Sequence, residues 1–331
     1  MPTDVISVDP QIGLQNLPAE WALPTDWSLP SSSLGYQPMS NLTSSGSGSP
    51  NSNEVFPSSQ AIRLSNGPMT PESTSSVPGD GYLIDIYYTY FHPAHPILPP
   101  LRILYRSHVP AYLDHVIKFV GSHFTPSANS ETYRPTVKSS VMEQDGTVEK
   151  VQALLLLAVV LHSRNERAEA GECLVTAVDL ALQLGLHRSE SAVMLGGGDP
   201  VREETLRRTF WELFVVEGML TALGVQRIFR LNSMPLEVPL PCEDRIYQEG
   251  LPAPPPPTIA QFDERIFADE ERDFSSFCYR IEAVRILGRI VAMQDMIEGQ
   301  QDHVEAVDAR VTSWFHHLPE SKSELMRPDG S

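Results

Sequence analysis

Cysteine is scarce in this sequence: 331 residues include three, Cys173, Cys242 and Cys278. They lie far apart, and no CxxC pair occurs. This chain alone therefore cannot supply a disulfide framework, a four-cysteine zinc site or an iron–sulfur site. Isolated thiols of this kind are typical of a reducing compartment such as the cytosol or the nucleus.

Basic residues are also in short supply, with 24 Lys and Arg against 42 Asp and Glu and a formal net charge of −18. So acidic a chain is repelled by phosphate groups unless it carries a local basic patch, which disfavours a free-standing binder of nucleic acid or anionic membranes. No apolar run approaches the roughly 18 residues of a membrane-spanning helix. The first residues, MPTD, lack the basic and apolar regions of a secretory signal, so we expect none.

The composition changes near residue 80. Residues 1–80 contain 17 Ser and 11 Pro but one basic residue, Arg63. Such a segment cannot bury enough apolar surface to offset its chain entropy. We therefore predict a disordered Ser/Pro-rich segment over residues 1–79 and a folded helical domain over residues 80–331.

One apolar island interrupts the first segment, at residues 17–29 (LPAEWALPTDWSL). Aromatic and leucine side chains kept in solution by acidic neighbours are typical of activation segments that dock on a partner. The alternatives are a stray hydrophobic stretch or a tail that lies on the folded domain. The candidate activation residues are Trp21, Leu23, Trp27 and Leu29.

From residue 82 onward, apolar residues recur at helical spacing. The segments that this spacing predicts as helices are 82–91, 101–120 with a break or kink at Pro110, 148–162, 170–186, 202–222, 274–297 and 302–318. Gly185 is expected to end its helix in a left-handed conformation. Residues 189–200 and 230–257 are predicted to be loops. With no run of alternating strands, the fold class expected is all-α, an irregular multi-helix bundle.

The sequence offers no catalytic motif. The glycines at 196–198 lack the Lys-Ser/Thr of a phosphate-binding loop, and neither GxSxG nor HExxH occurs. The histidine pairs at 92/95 and 316/317 lack further ligands at metal-binding spacing and are expected to be structural or on the surface. Glu203, Glu204, Arg207 and Arg208 are interpreted as pairs on a solvated helix face. We therefore expect no catalytic, cofactor-binding or metal-binding residue, no cofactor and no enzymatic activity.

Six segments in series resemble the middle homology region of fungal zinc-cluster transcription factors. Three of them are VQALLLLAVVL at 151–161, AVDLALQLGLHR at 177–188 and RRTFWELFVVEGMLTAL at 207–223. The others lie at 90–98, 235–241 and 314–319, so the resemblance covers about residues 82–320. The motif residues that it implies, with a scaffold role, are Gly185, His187, Arg188, Arg207, Arg208, Trp211 and Gly224.

The sequence departs from that family in several places. The six cysteines that hold two zinc ions in the family's DNA-binding module have no counterpart here. Glu217 stands where the family usually has Asp, and Gly224-Val225-Gln226 replaces its Gly-Arg-Pro. Family members continue with further helices beyond Pro319, so we expect a regulatory domain that is truncated at its C-terminus.

The resemblance implies a nuclear regulator of fungal transcription, deployed on a specific pathway or gene cluster such as one of secondary metabolism. A protein partner or a dimer is expected, with DNA reached indirectly or through that partner, and no membrane. Two alternatives stay open: an interaction module that works only through a DNA-binding partner, and a truncated remnant of a zinc-cluster factor. An enzyme ranks third.

Overall fold

The computed structural model describes residues 80–141, 146–251, 253–267, 272–293 and 300–323. The chain divides into two units, Met1–Pro71 and Glu72–Ser331, and every described residue belongs to the second. The segment expected to be disordered, with its candidate activation residues, lies outside the described residues. The domain boundary at residues 79/80 therefore stays a prediction.

The described residues form helices and connecting loops, with no strand, which confirms the all-α fold class. None of these helices is both long and apolar enough to cross a membrane. The α-helices are α1 Asp80–Tyr90, α2 Leu101–Leu104, α3 Ala111–Ser122, α4 Ser130–Val141, α5 Val148–Ser163, α6 Arg167–Gln183, α7 Ser191–Gly196, α8 Pro200–Ala222, α9 Asp244–Glu249, α10 Ile259–Asp263, α11 Ser276–Met293, α12 Gln300–His316 and α13 Glu320–Ser323. Leu231–Ser233 and Arg265–Phe267 are short 3-10 helices.

Helices α5 and α8 lie at the centre of the bundle. Helix α5 is apolar on nearly every face, and its residues 150–158 are all buried. A helix of that composition can only be stable when other helices surround it. It packs against α3, α6 and α8, while α8 also packs against α7 and α11.

Helices α1 and α3 cross at Gly121. A Cβ atom at this position would lie 2.1 Å from the backbone oxygen of Leu83, closer than any carbon can approach. The missing side chain therefore allows the two backbones to touch and brings the α1 residue Tyr87 into the core, where it is fully buried.

Gly185 ends helix α6 with a φ of 73°, the left-handed conformation expected there. The amide of Leu186 donates to the carbonyl of Ala181 (2.9 Å) and that of Gly185 donates to the carbonyl of Leu182 (3.1 Å). These two bonds form a Schellman motif, which satisfies the last free carbonyls of the helix. Gly224, with a φ of 69°, ends α8 in the same way.

The segment predicted as helical over 101–120, with a break or kink at Pro110, is two helices, α2 and α3, so the chain breaks there. Pro110 occupies the N-cap of α3 rather than kinking one long helix. Proline lacks the amide hydrogen that a helix interior needs, and at a helix start that hydrogen has no intrahelical partner in any case.

Two predicted loops contain helices, and the prediction was wrong there. Residues 189–200 include α7, and residues 230–257 include α9 and a 3-10 turn. Short helices flanked by glycine or proline carry too few turns for a periodic pattern. Two further helices were not predicted: α4, which is mostly polar and contains Pro135, and α10.

Helix α12, the last long helix, is less buried than its apolar residues led us to expect. None of the α12 side chains that the structure describes, at 301–316, is buried, and Val304 is 51% exposed. Trp314 is half-buried, and its indole nitrogen donates to the carbonyl of Tyr279 on α11 (3.3 Å). The helix therefore lies on the surface of the bundle.

Replacement of Gly185 by valine tests the left-handed helix end. We expect Gly185→Val to lower the free energy of unfolding by about 1–2 kcal/mol or more, because a β-branched residue is strained at positive φ. Gly146→Val is the control, since Gly146 has open space around it and no positive φ. Equal urea-denaturation midpoints for the two variants would contradict this geometry.

Candidate functional site

Helix α8 carries five charged side chains into the protein interior: Glu204, Arg207, Arg208, Glu212 and Glu217. The helix begins at Pro200, and the Asp199 side chain caps it by accepting from the amide of Val201 (2.9 Å). The solvated face predicted for this region is wrong. Because other elements cover α8 on all sides, Glu204 is 2% exposed and Arg208 is 0% exposed.

Arg208 is surrounded by acceptors. Its Nε atom donates to Glu204 Oε1 (2.9 Å), Nη1 to Asp244 Oδ1 (2.5 Å) and Nη2 to the carbonyl of Cys242 (2.7 Å). The guanidinium also lies 4.3 Å from the centre of the Tyr247 ring. Burial opposes the charge of Arg208, but the carboxylates of Glu204 and Asp244 outweigh it and raise its pKa above the usual value.

The Glu204 carboxylate uses both oxygens. Oε1 accepts from the amide of Cys242 (2.9 Å) as well as from Arg208, and Oε2 accepts from Arg207 Nε (3.0 Å). A buried carboxylate is tolerated when cations and amides satisfy it in this way. The loop that leads into α9 is therefore fixed to α8 through its backbone.

A second contact joins α9 to the segment before α2. The Tyr247 hydroxyl donates to the carbonyl of Leu98 (3.0 Å) and lies 2.7 Å from Thr205 Oγ1 on α8. Gln152 on α5 reaches the same region, where its amide nitrogen donates to the carbonyl of Ile97 (3.1 Å). Residues 92–98 are thus held from several helices.

Glu212 bridges two further elements. Its carboxylate pairs with Arg280 of α11 and accepts a hydrogen bond from His95 Nδ1 (2.8 Å). Burial, and then the charge of Arg280, lower the pKa of His95 to about 4. The neighbouring His92 is bonded to the carbonyl of Leu98 through Nε2 (3.0 Å), and burial lowers its pKa to about 4 as well. Both imidazoles are therefore neutral at pH 7.

Glu217, near the end of α8, also binds the backbone of another segment. Its two oxygens accept from the amides of Arg230 (3.2 Å) and Leu231 (2.9 Å). Burial raises the pKa of this carboxyl, and the two backbone bonds oppose that shift. Trp211, the residue before Glu212 on α8, also binds a loop: its indole nitrogen donates to the carbonyl of Pro239 (3.0 Å).

The structure brings some of the motif residues together and separates the others. Arg207, Arg208 and Trp211 lie in the buried region of α8, and Gly224 ends that helix. The remaining three follow the end of α6: Gly185 is buried, His187 is half-buried and Arg188 is exposed. The sequence analysis named Glu204 as a residue of a solvated face and Glu217 as a departure from the family, but neither as a buried partner. Glu212 and the two α9 residues that complete the cluster, Asp244 and Tyr247, were not singled out from the sequence.

The chemistry of this cluster is structural. Both carboxylate oxygens of Glu204, Glu212 and Glu217, and all three nitrogens of the Arg208 guanidinium, bond to protein groups. Burial raises the pKa of Cys173 to about 11, of Cys242 to about 12 and of Cys278 to about 11, so each is a thiol at pH 7. Within the described residues, no three His, Cys, Asp or Glu side chains are grouped closely enough to hold a metal ion.

Removal of the central cation tests the cluster. Arg208→Met should lower the free energy of unfolding by about 3–5 kcal/mol, because Glu204 Oε1 loses its buried cation, with Arg207 left on the other oxygen, and the buried carbonyl of Cys242 loses its donor. The matched control is Arg245→Met, since Arg245 pairs with Glu249 on the surface and its side chain is 80% exposed. We expect the control to change stability by less than about 1 kcal/mol. Similar effects of both variants in urea denaturation would contradict the role of Arg208.

The two neutral histidines predict a pH dependence. Between about pH 6.5 and 4 the unfolded chain binds protons at His92 and His95 that the folded chain does not, so stability falls as the pH falls. Each histidine should contribute a slope of about 1 kcal/mol per pH unit.

The matched variants for this slope are His95→Asn, whose amide can still donate to Glu212, and His317→Asn on the exposed surface. Urea denaturation at pH 7, 6 and 5 should show a shallower slope for His95→Asn and the wild-type slope for His317→Asn. A stability that is flat over this range would show that the histidines are not held neutral.

Comparison with known proteins identifies the family to which this chain is similar. Residues 84–320 match the family described as the fungal specific transcription factor domain. The chain is 32% identical over 254 residues to the C6 finger domain transcription factor iacK of Pestalotiopsis fici, covering 74% of this chain and 38% of that protein. It is 25% identical over 246 residues to the transcription factor AN6788 of Emericella nidulans, covering 68% and 37%.

The chain therefore spans less than two fifths of the length of these curated relatives. No solved structure matches it. The family match begins within α1 and ends at α13, so it includes every element that surrounds the buried cluster of α8. The family expected from the sequence motifs is confirmed, and the chain belongs to the fungal-specific transcription factor domain family.

Proposed function

We propose that this chain acts as the regulatory domain of a fungal transcriptional regulator, deployed in the nucleus on a specific pathway or gene cluster such as one of secondary metabolism. The observation that carries the proposal is the family match over residues 84–320. The names of the two relatives, both transcription factors, support it. The pathway-specific part rests on the usual deployment of such regulators.

The distribution of charge supports indirect contact with DNA. The chain has a net charge of −18, and many of its cations are already paired with carboxylates of the same fold. Such pairs include Arg134–Glu166, Arg164–Glu131, Arg208–Glu204, Arg230–Asp179, Arg265–Glu282, Arg280–Glu212 and Arg285–Asp263. A cation that is neutralised internally releases little free energy on a phosphate. We propose that a DNA-binding partner brings this domain to promoters.

A role without catalysis fits the same observations. The titratable groups of the buried cluster hold loops in place, and members of a transcription factor family act through binding. The three cysteines are protonated at pH 7, so they are poor nucleophiles. We therefore propose that the domain regulates through contacts with other proteins.

A tethering assay tests the proposed regulation. The chain, fused to an unrelated DNA-binding module, should raise or lower a fungal reporter gene severalfold relative to the module alone. The Arg208→Met fusion should lose this effect because the fold depends on that cation, whereas the Arg245→Met fusion should keep it. If the wild-type fusion leaves reporter expression unchanged, that result would contradict a regulatory role and favour the remnant alternative.

A mobility-shift assay tests the indirect contact with DNA. The purified chain alone should form no sequence-specific complex with promoter DNA at physiological salt. Any promoter occupancy in the cell should vanish when the DNA-binding partner is removed. A zinc-dependent, sequence-specific complex formed by this chain alone would overturn the proposal.

A further inference from the structure

The connection between α9 and α10 contains four consecutive prolines, at 254–257, preceded by Ala253. A proline ring fixes its own φ near about −65°, and it also confines the residue before it to an extended ψ. Both backbone angles at 254, 255 and 256 are therefore set by covalent geometry to the values of a polyproline II helix, which has about three residues per turn. In agreement, residues 253–257 belong to no α-helix or strand.

The fold holds this proline segment at both ends. Gly250, with a φ of 60°, ends α9 before it, and Thr258 caps α10 after it by accepting from the amide of Gln261 (3.2 Å). The carbonyl of Pro257, which is buried, accepts from the amide of Leu240 (2.7 Å). The segment is therefore ordered before it meets any partner, so that binding costs little conformational entropy.

The middle of the proline segment is open to solvent. Pro254 and Pro255 are exposed, whereas Ala253 and Pro256 are half-buried. The carbonyl of Pro255 accepts from Arg272 Nη2 (2.9 Å), a contact that supports the segment from below. Within the part of the chain that the structure describes, no group donates to the carbonyls of Ala253, Pro254 or Pro256. The segment thus presents two apolar rings to solvent together with free hydrogen-bond acceptors.

The chemistry of such a segment restricts what can bind it. Proline has no amide hydrogen, so the segment cannot add a strand to the sheet of another protein, and its extended backbone cannot enter a groove as an α-helix. A groove lined with aromatic side chains does fit. Proline rings pack against the faces of tryptophan and tyrosine, and the free carbonyls accept from the indole and phenol groups of the same side chains.

We propose that residues 253–257 are a docking segment for a proline-recognition domain of another protein, a domain of the WW or SH3 kind, and that Pro254 and Pro255 enter its aromatic groove. The segment is short and already ordered, so the expected contact is small and reversible. This proposal does not depend on the proposed regulatory function, because the binding is a property of the purified proteins.

Calorimetric titration of the purified full chain into a WW domain and, separately, into an SH3 domain tests the proposal. The wild type should bind one or both domains saturably, and a free polyproline peptide should compete with it for the groove. The double variant Pro254→Ala/Pro255→Ala should raise the dissociation constant by about tenfold or more, because it removes both exposed rings and releases the backbone angles that they fix.

The matched control is Pro126→Ala, since Pro126 is also exposed but has no proline beside it. This control should bind with the wild-type dissociation constant, and both variants should keep the helical circular dichroism spectrum because the substitutions lie outside the helices. Binding that survives the double variant would show that other prolines, such as those of residues 1–79, occupy the groove, and would overturn the proposal. A wild-type chain that binds neither domain would overturn it as well.

Discussion

A charged side chain that leaves water must find an opposite charge or several hydrogen bonds, and helix α8 imposes this requirement five times. The five charged residues lie close together in the sequence, but the groups that pair with them come from distant segments. Glu204 and Arg208 meet the loop before α9, Glu212 meets His95 and α11, and Glu217 meets the chain beyond α8. The charges on one helix thus determine where four other parts of the chain lie.

This constraint explains how irregular segments become parts of the core. Residues 92–98 and 238–243 have almost no regular secondary structure, yet several of their side chains are fully buried. Backbone groups in such segments need partners other than a helix or a sheet. The Glu204 carboxylate, the Arg208 guanidinium and the Tyr247 hydroxyl supply them. The motif residues Arg207, Arg208 and Trp211 accordingly belong to the scaffold on which surface contacts are built.

The long apolar helices could be predicted from the sequence because their periodicity is intrinsic. The run at 154–161 in α5 is apolar on all sides, and Gly185 marks the end of α6 by chemistry that needs no tertiary context. The burial of Glu204 and Arg208 could not be predicted in this way. Acids and arginines have the same spacing of three or four residues in the sequence whether they lie on a solvated face or in a buried cluster.

Short helices and long-range contacts could not be predicted either, because both depend on the packed fold. Helices α7 and α9 span six residues each, too few for a periodic signal, and they exist because the rest of the fold fixes their ends. The hydrogen-bond partner of His95, Glu212, is 117 positions away in the chain, and Arg280, which pairs with the same carboxylate, lies 68 positions further on. Contacts of such sequence separation appear only once the helices are packed.

Residue-resolved amide hydrogen exchange tests most directly whether the carboxylates of α8 hold the loops. The amides of Cys242 and Leu231 lie in irregular or short 3-10 segments, but each donates to a buried carboxylate of α8. The account predicts that both exchange as slowly as amides within α8 itself. Exchange at the rate of an exposed loop amide, such as that of Gly146, would show that the loops open independently and would contradict it.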